Sequence, residues 1–212
     1  MIRRPFAPLL LAAMWAFAGV VFRRLPPEIP THWNLAGEGD GGGPRFPAAS
    51  RAPAVATGVW LLMRFQASID PRRADVERST PTRRLLAEIL VGFMAVLEVL
   101  TLGIALGWPL DMGEAMWPLL GLLFVALGNY LPRVRPNWFL GVRTPWTLAS
   151  DAVWRDTHRL AGWAFVAAGV LTAGAMFLPV RARPLVGMAA LLLAAGVPLV
   201  YSFVRWRREE RR

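Results

Sequence analysis

Two histidines and 14 carboxylates bound the chemistry open to this chain of 212 residues. His32 precedes Asp40 in "LPPEIPTHWNLAGEGDGGGPRFP", and His158 follows Asp151 in "NWFLGVRTPWTLASDAVWRDTHR". Either pair can be read as an acid–base couple, because imidazole is the side chain most often used for proton transfer near neutral pH. Asn34 joins His32 and Asp40 as a hydrogen-bonding or metal-ligating group, although the three lack the tight spacing of a metal site. No nucleophile motif, phosphate-binding loop or metal triad accompanies these residues, so an enzyme is not expected. With no Cys, thiolate metal sites, disulfides and Cys nucleophiles are excluded. Neither a cofactor nor a metal is implied.

Glu98 raises a different question. It sits in the middle of "LLAEILVGFMAVLEVLTLGIALGW". A charged carboxyl at the centre of a bilayer costs about 2.5–3.5 kcal/mol on insertion scales. Glu98 is therefore expected to face other helices, with Thr101 three residues on as a same-face partner. Two readings stand side by side: a proton or ligand site, or one buried polar bond that fixes helix register. Glu88, nearer the end of the run, is expected to snorkel. Gly103 and Gly107 form a GxxxG that suggests tight helix packing.

These residues must be positioned by membrane-spanning helices. The chain is 55% hydrophobic with mean hydropathy +0.41, and its apolar residues fall in long runs. A bilayer core of about 30 Å takes about 20 apolar residues in a helix. Six segments fit: Phe6–Phe22, Ala52–Ile69, Leu85–Trp108, Ala115–Leu131, Leu160–Val180 and Pro184–Val204. The second is the weakest, because Arg64 and Gln66 interrupt it; both are expected to snorkel to the interface. The first resembles a signal peptide in its basic start and Ala16-Phe17-Ala18, yet its apolar run is long enough to span, so a retained helix is expected. The expected fold is an all-α polytopic helical bundle of six helices. An N-terminal module (1–75) precedes a four-helix region (76–212).

Orientation follows from charge. All 24 basic residues are Arg. With the N-terminus inside, most of them lie on the inner side, among them Arg3, Arg4, Arg72, Arg83, Arg133, Arg143, Arg155 and Arg212, as the positive-inside rule requires. Both termini are then cytoplasmic. The net charge of +10 falls at the ends of apolar segments, which suits lipid headgroups and not direct nucleic-acid binding.

Two loops carry information. In the outer loop, Pro26, Pro27 and Pro30 favour extended backbone and "GEGDGGG" suggests turns with positive φ, so a rigid exterior hairpin with Trp33 lying in the interface is expected. In the inner loop, Pro132 and Pro136 stop the fourth helix. Gly141 and Pro145 then make a turn, and Ser150 or Asp151 caps a new helix. Asp151, Trp154 and His158 fall on one face of that helix, which runs into the fifth span. An interfacial helix trimmed with Trp and Arg explains much of this. It does not explain why Asn137, Thr144, Thr147 and His158 gather in one short segment.

The stretch "GNYLPRVRPNWFLGVRTPWTLASDAVWRDTHRLAGW" resembles the signature of the SdpI family of bacterial membrane proteins. The resemblance runs through Asn129, Arg133, Asn137, Gly141, Arg143, Thr144, Pro145, Trp146, Thr147, Trp154 and His158. The outer loop, through Pro26, Ile29, Pro30, His32, Asn34 and Asp40, is similar to a small N-terminal module that often precedes that signature, and "IDPRR" (Ile69–Arg73) fits as well. The resemblance implies a non-enzymatic protein of the bacterial cytoplasmic membrane, giving immunity to a secreted toxin or sensing it. It further implies a cytoplasmic repressor captured at the membrane. On this reading the outer loop meets the toxin, Arg143 and Arg155 pair with acidic groups of the inner partner, and Trp146 and Trp154 anchor it. A small proton-coupled transporter or channel using Glu98 is the alternative.

Overall fold

The computed structural model describes residues 6–34 and 37–211. Arg3, Arg4 and Arg212, which bear on orientation, lie outside them. The elements in order are α1 (Phe6–Val21), β1 (Glu28–Trp33), β2 (Gly39–Pro44), α2 (Arg45–Ile69), α3 (Arg73–Arg78), α4 (Thr80–Ala105), α5 (Met112–Tyr130), α6 (Pro145–Ala149), α7 (Asp151–Gly174) and α8 (Arg183–Glu210). Five helical stretches among the described residues are long and apolar enough to cross a membrane: Phe6–Arg24, Thr80–Ala105, Met112–Arg133, Asp151–Phe177 and Arg183–Glu210. The remaining long helix, α2, has 25 residues. At 1.5 Å per residue it is about 37 Å long, sufficient to span, but Arg45, Arg51, Arg64 and Gln66 hold its apolarity below that of the other five.

The chain divides into two compact units. The first comprises residues 1–62 and 87–119. Its centre is one stripe of α1: Ala7, Leu11, Met14, Ala18 and Val21 are buried at alternating spacings of four and three, the repeat of one helical face. Ala7, Leu11 and Met14 pack with Ala56 of α2 and Val91 of α4. Farther along, Ala18 and Val21 pack with Leu25, Ile29, Ala48 and Leu102. Ile29 thereby seats the hairpin on the helices.

That hairpin is a small two-stranded addition to an otherwise helical chain, in keeping with the all-α expectation. β1 and β2 pair antiparallel, Glu28 opposite Pro44 and Trp33 opposite Gly39, with irregular register around His32. The glycine run is thus mostly strand and not turn. Gly37 alone of its glycines has positive φ (+86°), and a side chain there would also strike the backbone of Gly113. Within the strand the close approach is at Gly41, where a Cβ would lie 3.0 Å from the His32 Cβ.

The second unit comprises residues 63–86 and 120–212. α7 and α8 lie antiparallel, with Ala168 against Ala190 and Ala194 at one end and Asp156 bonded to Arg205 at the other. α5 approaches α7 through glycine. A Cβ on Gly121 would lie 2.6 Å from the Gly169 carbonyl oxygen, and one on Gly128 would lie 2.7 Å from that of Gly162. Each helix therefore carries two glycines two turns apart at the contact. The GxxxG read from the sequence has another role: α4 ends at Ala105, Gly107 is a turn residue with φ +81°, and Gly103 receives the Trp108 and Leu110 side chains of that turn.

Candidate functional site

The second unit gathers the polar residues of the Asn137–Arg159 segment around Asn137, which is 1% exposed. Its Oδ1 accepts from the Gln66 side chain at 3.0 Å and from the backbone N–H groups of Phe139 and Leu140 at 2.8 and 2.6 Å. Its Nδ2 donates to the carbonyls of Arg135 and Leu140. Both ends of the amide are satisfied, as a buried polar group requires. The side chain thus imposes the loop's shape and ties it to α2.

Asp70, at the end of α2, extends the network. It accepts from the Trp138 N–H at 3.0 Å, from Gln66 and from the Arg72 N–H at 2.8 Å. Arg72 in turn reaches Asp151 at 2.6 Å and the Leu148 carbonyl. Arg83 is buried and donates to the carbonyls of Val76 and Met63. Gln66 is wholly buried, so it does not snorkel. Arg64, by contrast, lies over the ring of exposed Phe65.

Past the loop, α6 begins with a capping box: Thr144 accepts from the Thr147 N–H, and Thr147 accepts from the Thr144 N–H. Pro145 follows the cap, where the missing N–H is no loss. The single Thr147 hydroxyl proton is within hydrogen-bonding reach of the Val142 and Thr144 carbonyls. Ser150 caps α7 through the Val153 N–H. The short α6 helix is not expected from the sequence reading, although T-P-x-T is a recognisable helix start.

Trp154 and His158 are fully buried, and their rings stack at 4.0 Å. Trp154 donates to the Val134 carbonyl at 2.8 Å. His158 Nδ1 donates to the Trp154 carbonyl, and Nε2 accepts from the Val142 N–H at 3.0 Å. With both nitrogens engaged, this is the neutral ring protonated at Nδ1. Gly141, at φ +98°, lies so close to Nε2 that no side chain fits there. Two expectations are corrected here. Asp151 faces Arg72 instead of His158, so these two are not an acid–base couple. Trp154 lies inside its own unit with Leu86 and Val134 and is not offered to a partner.

Trp146 is half-buried. Its Nε1 donates to Ser202 of α8, and its ring stacks on Trp206. Exposed Arg143 donates to the Trp138 carbonyl at 2.7 Å, and Trp138 is 50% exposed. Exposed Arg155 faces outward. Arg133 lies over Tyr130, and exposed Asn129 bonds back to the Val125 carbonyl of its own helix.

The first unit holds the remaining candidates. His32 and Asp40 face each other across the hairpin at 2.5 Å, with side chains 72% and 45% exposed. Asn34 bonds Glu38 at the tip instead of joining them. Among the described residues no three His, Asp or Glu form a metal-binding group. Glu98 and Thr101 line a common cavity with His32.

Residues 133–202 match the SdpI/YfhL protein family, and residues 9–57 match a domain of unknown function, DUF1648. The chain is 22% identical over 189 residues to Immunity protein SdpI of Bacillus subtilis (strain 168), covering 89% of this chain and 88% of the relative. No solved structure matches it. With the two modules in order, the alignment running through both, and five apolar helices to carry them, the chain resembles the SdpI family of multi-pass membrane proteins along most of its length.

Proposed function

We propose that this protein protects its bacterial host from a secreted antimicrobial protein and works in the cytoplasmic membrane. The observation that carries the reading is the alignment with an immunity protein along nearly the whole of both chains. The arginine distribution supports six spans with α2 as the second and both termini inside. The hairpin around His32, Asn34 and Asp40 then faces outward, where the toxin arrives. The Asn137–Arg159 segment faces the cytoplasm.

In this reading the segment's residues divide by burial. Asn137, Thr144, Thr147, Trp154 and His158 shape the inner mouth of the bundle. Exposed Arg143, Arg155 and Trp138 are left for a partner with acidic residues, since Arg and Trp are the side chains that dominate protein interfaces. A repressor protein captured at the membrane fits that chemistry.

The test expresses wild type, Arg143→Ala and His158→Ala in a toxin-sensitive host, with membrane levels measured beside survival. Wild type is expected to restore growth. Arg143→Ala keeps its membrane level and loses protection, whereas His158→Ala loses both. Wild type protecting no better than empty vector sinks the immunity reading, and full protection by Arg143→Ala removes that residue from it.

A further inference from the structure

The first unit contains a cavity of about 460 Å³, within the roughly 300–1,000 Å³ span of small-ligand pockets. Its wall is mostly apolar. Met94 and Leu97 come from α4, Met112 and Met116 from the start of α5, and Val55 from α2. Three of these are methionines, whose flexible thioethers fit irregular apolar guests. Trp33 and His32 of the hairpin, with exposed Arg51, complete the wall.

One group in this wall is out of keeping with the rest. Glu98 is 2% exposed, and its Oε1 has no hydrogen-bond partner. Thr101 lines the same cavity without bonding that oxygen. Among the described ion pairs none joins Glu98 to Arg51. Nearly all buried polar atoms in native proteins are paired, so an orphan of this kind calls for an absent partner. Thr31, His32 and Arg51 also line the cavity, yet none of them bonds that oxygen. A carboxylate in apolar surroundings is matched best by a cationic donor, because charge-assisted hydrogen bonds are about twice as strong as neutral ones.

From the buried carboxyl and the apolar, methionine-lined space beside it, we propose that this cavity is a binding site for an amphipathic primary amine. The ammonium group donates to Glu98, and the apolar chain lies among Met94, Met112 and Met116. This inference goes beyond the immunity reading and does not rest on it, since binding is measured on purified protein without toxin.

The experiment uses the full chain in detergent micelles and three photoactivatable probes of equal chain length: dodecylamine, dodecanol and dodecanoic acid, each with a diazirine in the tail. Crosslinked peptides are mapped by mass spectrometry. The amine is expected to label the peptides bearing Met94 and Met112–Met116 about tenfold more than the alcohol or the acid, the factor that about 1.4 kcal/mol of charge-assisted bonding represents. Glu98→Gln, nearly isosteric, should abolish the preference for the amine. Met116→Trp, which fills the space and leaves the carboxyl, should reduce labelling by all three probes. Equal labelling by amine and alcohol in wild type overturns the proposal, as does an undiminished amine preference in Glu98→Gln. If Glu98→Gln fails to assemble, the wild-type comparison of amine with alcohol still decides.

Discussion

Replacing Asn137 by Ala would strand three donors, on Gln66, Phe139 and Leu140, and two carbonyls, on Arg135 and Leu140. An unsatisfied buried group costs about 1–3 kcal/mol, and some of these will find water as the loop opens. A loss of about 3 kcal/mol is expected for Asn137→Ala in a reversible unfolding titration in mixed micelles. Gly141→Ala should cost a similar amount by another route. It places a Cβ against His158 and forces an L-residue to φ +98°. In that variant the Trp154–His158 stack is displaced, so the near-ultraviolet circular dichroism of the buried Trp should change with it. Wild-type stability in either variant would mean that the network is ornamental. Asn137 is conspicuous in the sequence, as an amide in a segment of Trp and Arg. Gln66, Asp70 and Arg83 are not, because a polar residue near the end of an apolar run is equally consistent with snorkelling. Only the three-dimensional pairing decides which way such a side chain turns.

At the scale of elements, glycines with opposite roles give a sharp contrast. Gly121 and Gly128 of α5 meet Gly169 and Gly162 of α7 at backbone distance. Small residues of this kind let transmembrane helices approach closely enough for dispersion to hold them. Gly128→Leu should therefore push the helices apart and cost about 2–4 kcal/mol, the range for severe overpacking and beyond. Gly58 of α2 has no atom within 4 Å of the place a Cβ would occupy, and Gly58→Ala should be neutral or stabilising by up to about 1 kcal/mol. Thermal stability in detergent checks both, and equal effects would refute the contact. The spacing is visible in the sequence, since both helices repeat glycine at seven residues, yet the Gly103–Gly107 pair draws the eye first. That pair is shorter and matches a known motif, but it straddles the end of its helix, a boundary that apolar periodicity places poorly. The outer loop reads as a rigid hairpin from its sequence, but the strand character of its glycines escapes for a related reason: strand glycines lack the alternating side chains by which strands are recognised.

At the scale of the whole molecule, the five most apolar helices are legible from run length alone, because a bilayer imposes a length and an internal hydrogen-bond requirement on any span. α2 is the exception. Its polar residues serve the loop network at one end and line the first unit's cavity at the other, through Gln66 and Arg51. A lack of Cys makes the topology directly measurable. Single cysteines at exposed Glu28 in the hairpin and exposed Arg155 in α7 should react oppositely with a membrane-impermeant maleimide in intact cells. Glu28→Cys is expected to label at once, and Arg155→Cys only after the membrane is opened. Labelling of both in intact cells would reject a six-span arrangement with α2 crossing.

The bond between Gln66 and Asn137 joins residues 71 apart in the chain. A ribosome adding about 5–20 residues per second reaches Asn137 roughly 4–14 s after Gln66. Throughout that interval Gln66 and Asp70 of the nascent chain have each other and the Arg72 N–H, but neither Asn137 nor the Trp138 N–H. The second half of the protein therefore acts as the acceptance test for the first. A chain truncated before residue 137 keeps Gln66 and Asp70 at the end of α2 without the Asn137 side chain and Trp138 N–H that complete their bonding. Wild-type chains pass through the same incomplete state on every round of synthesis, and leave it only when the signature loop arrives.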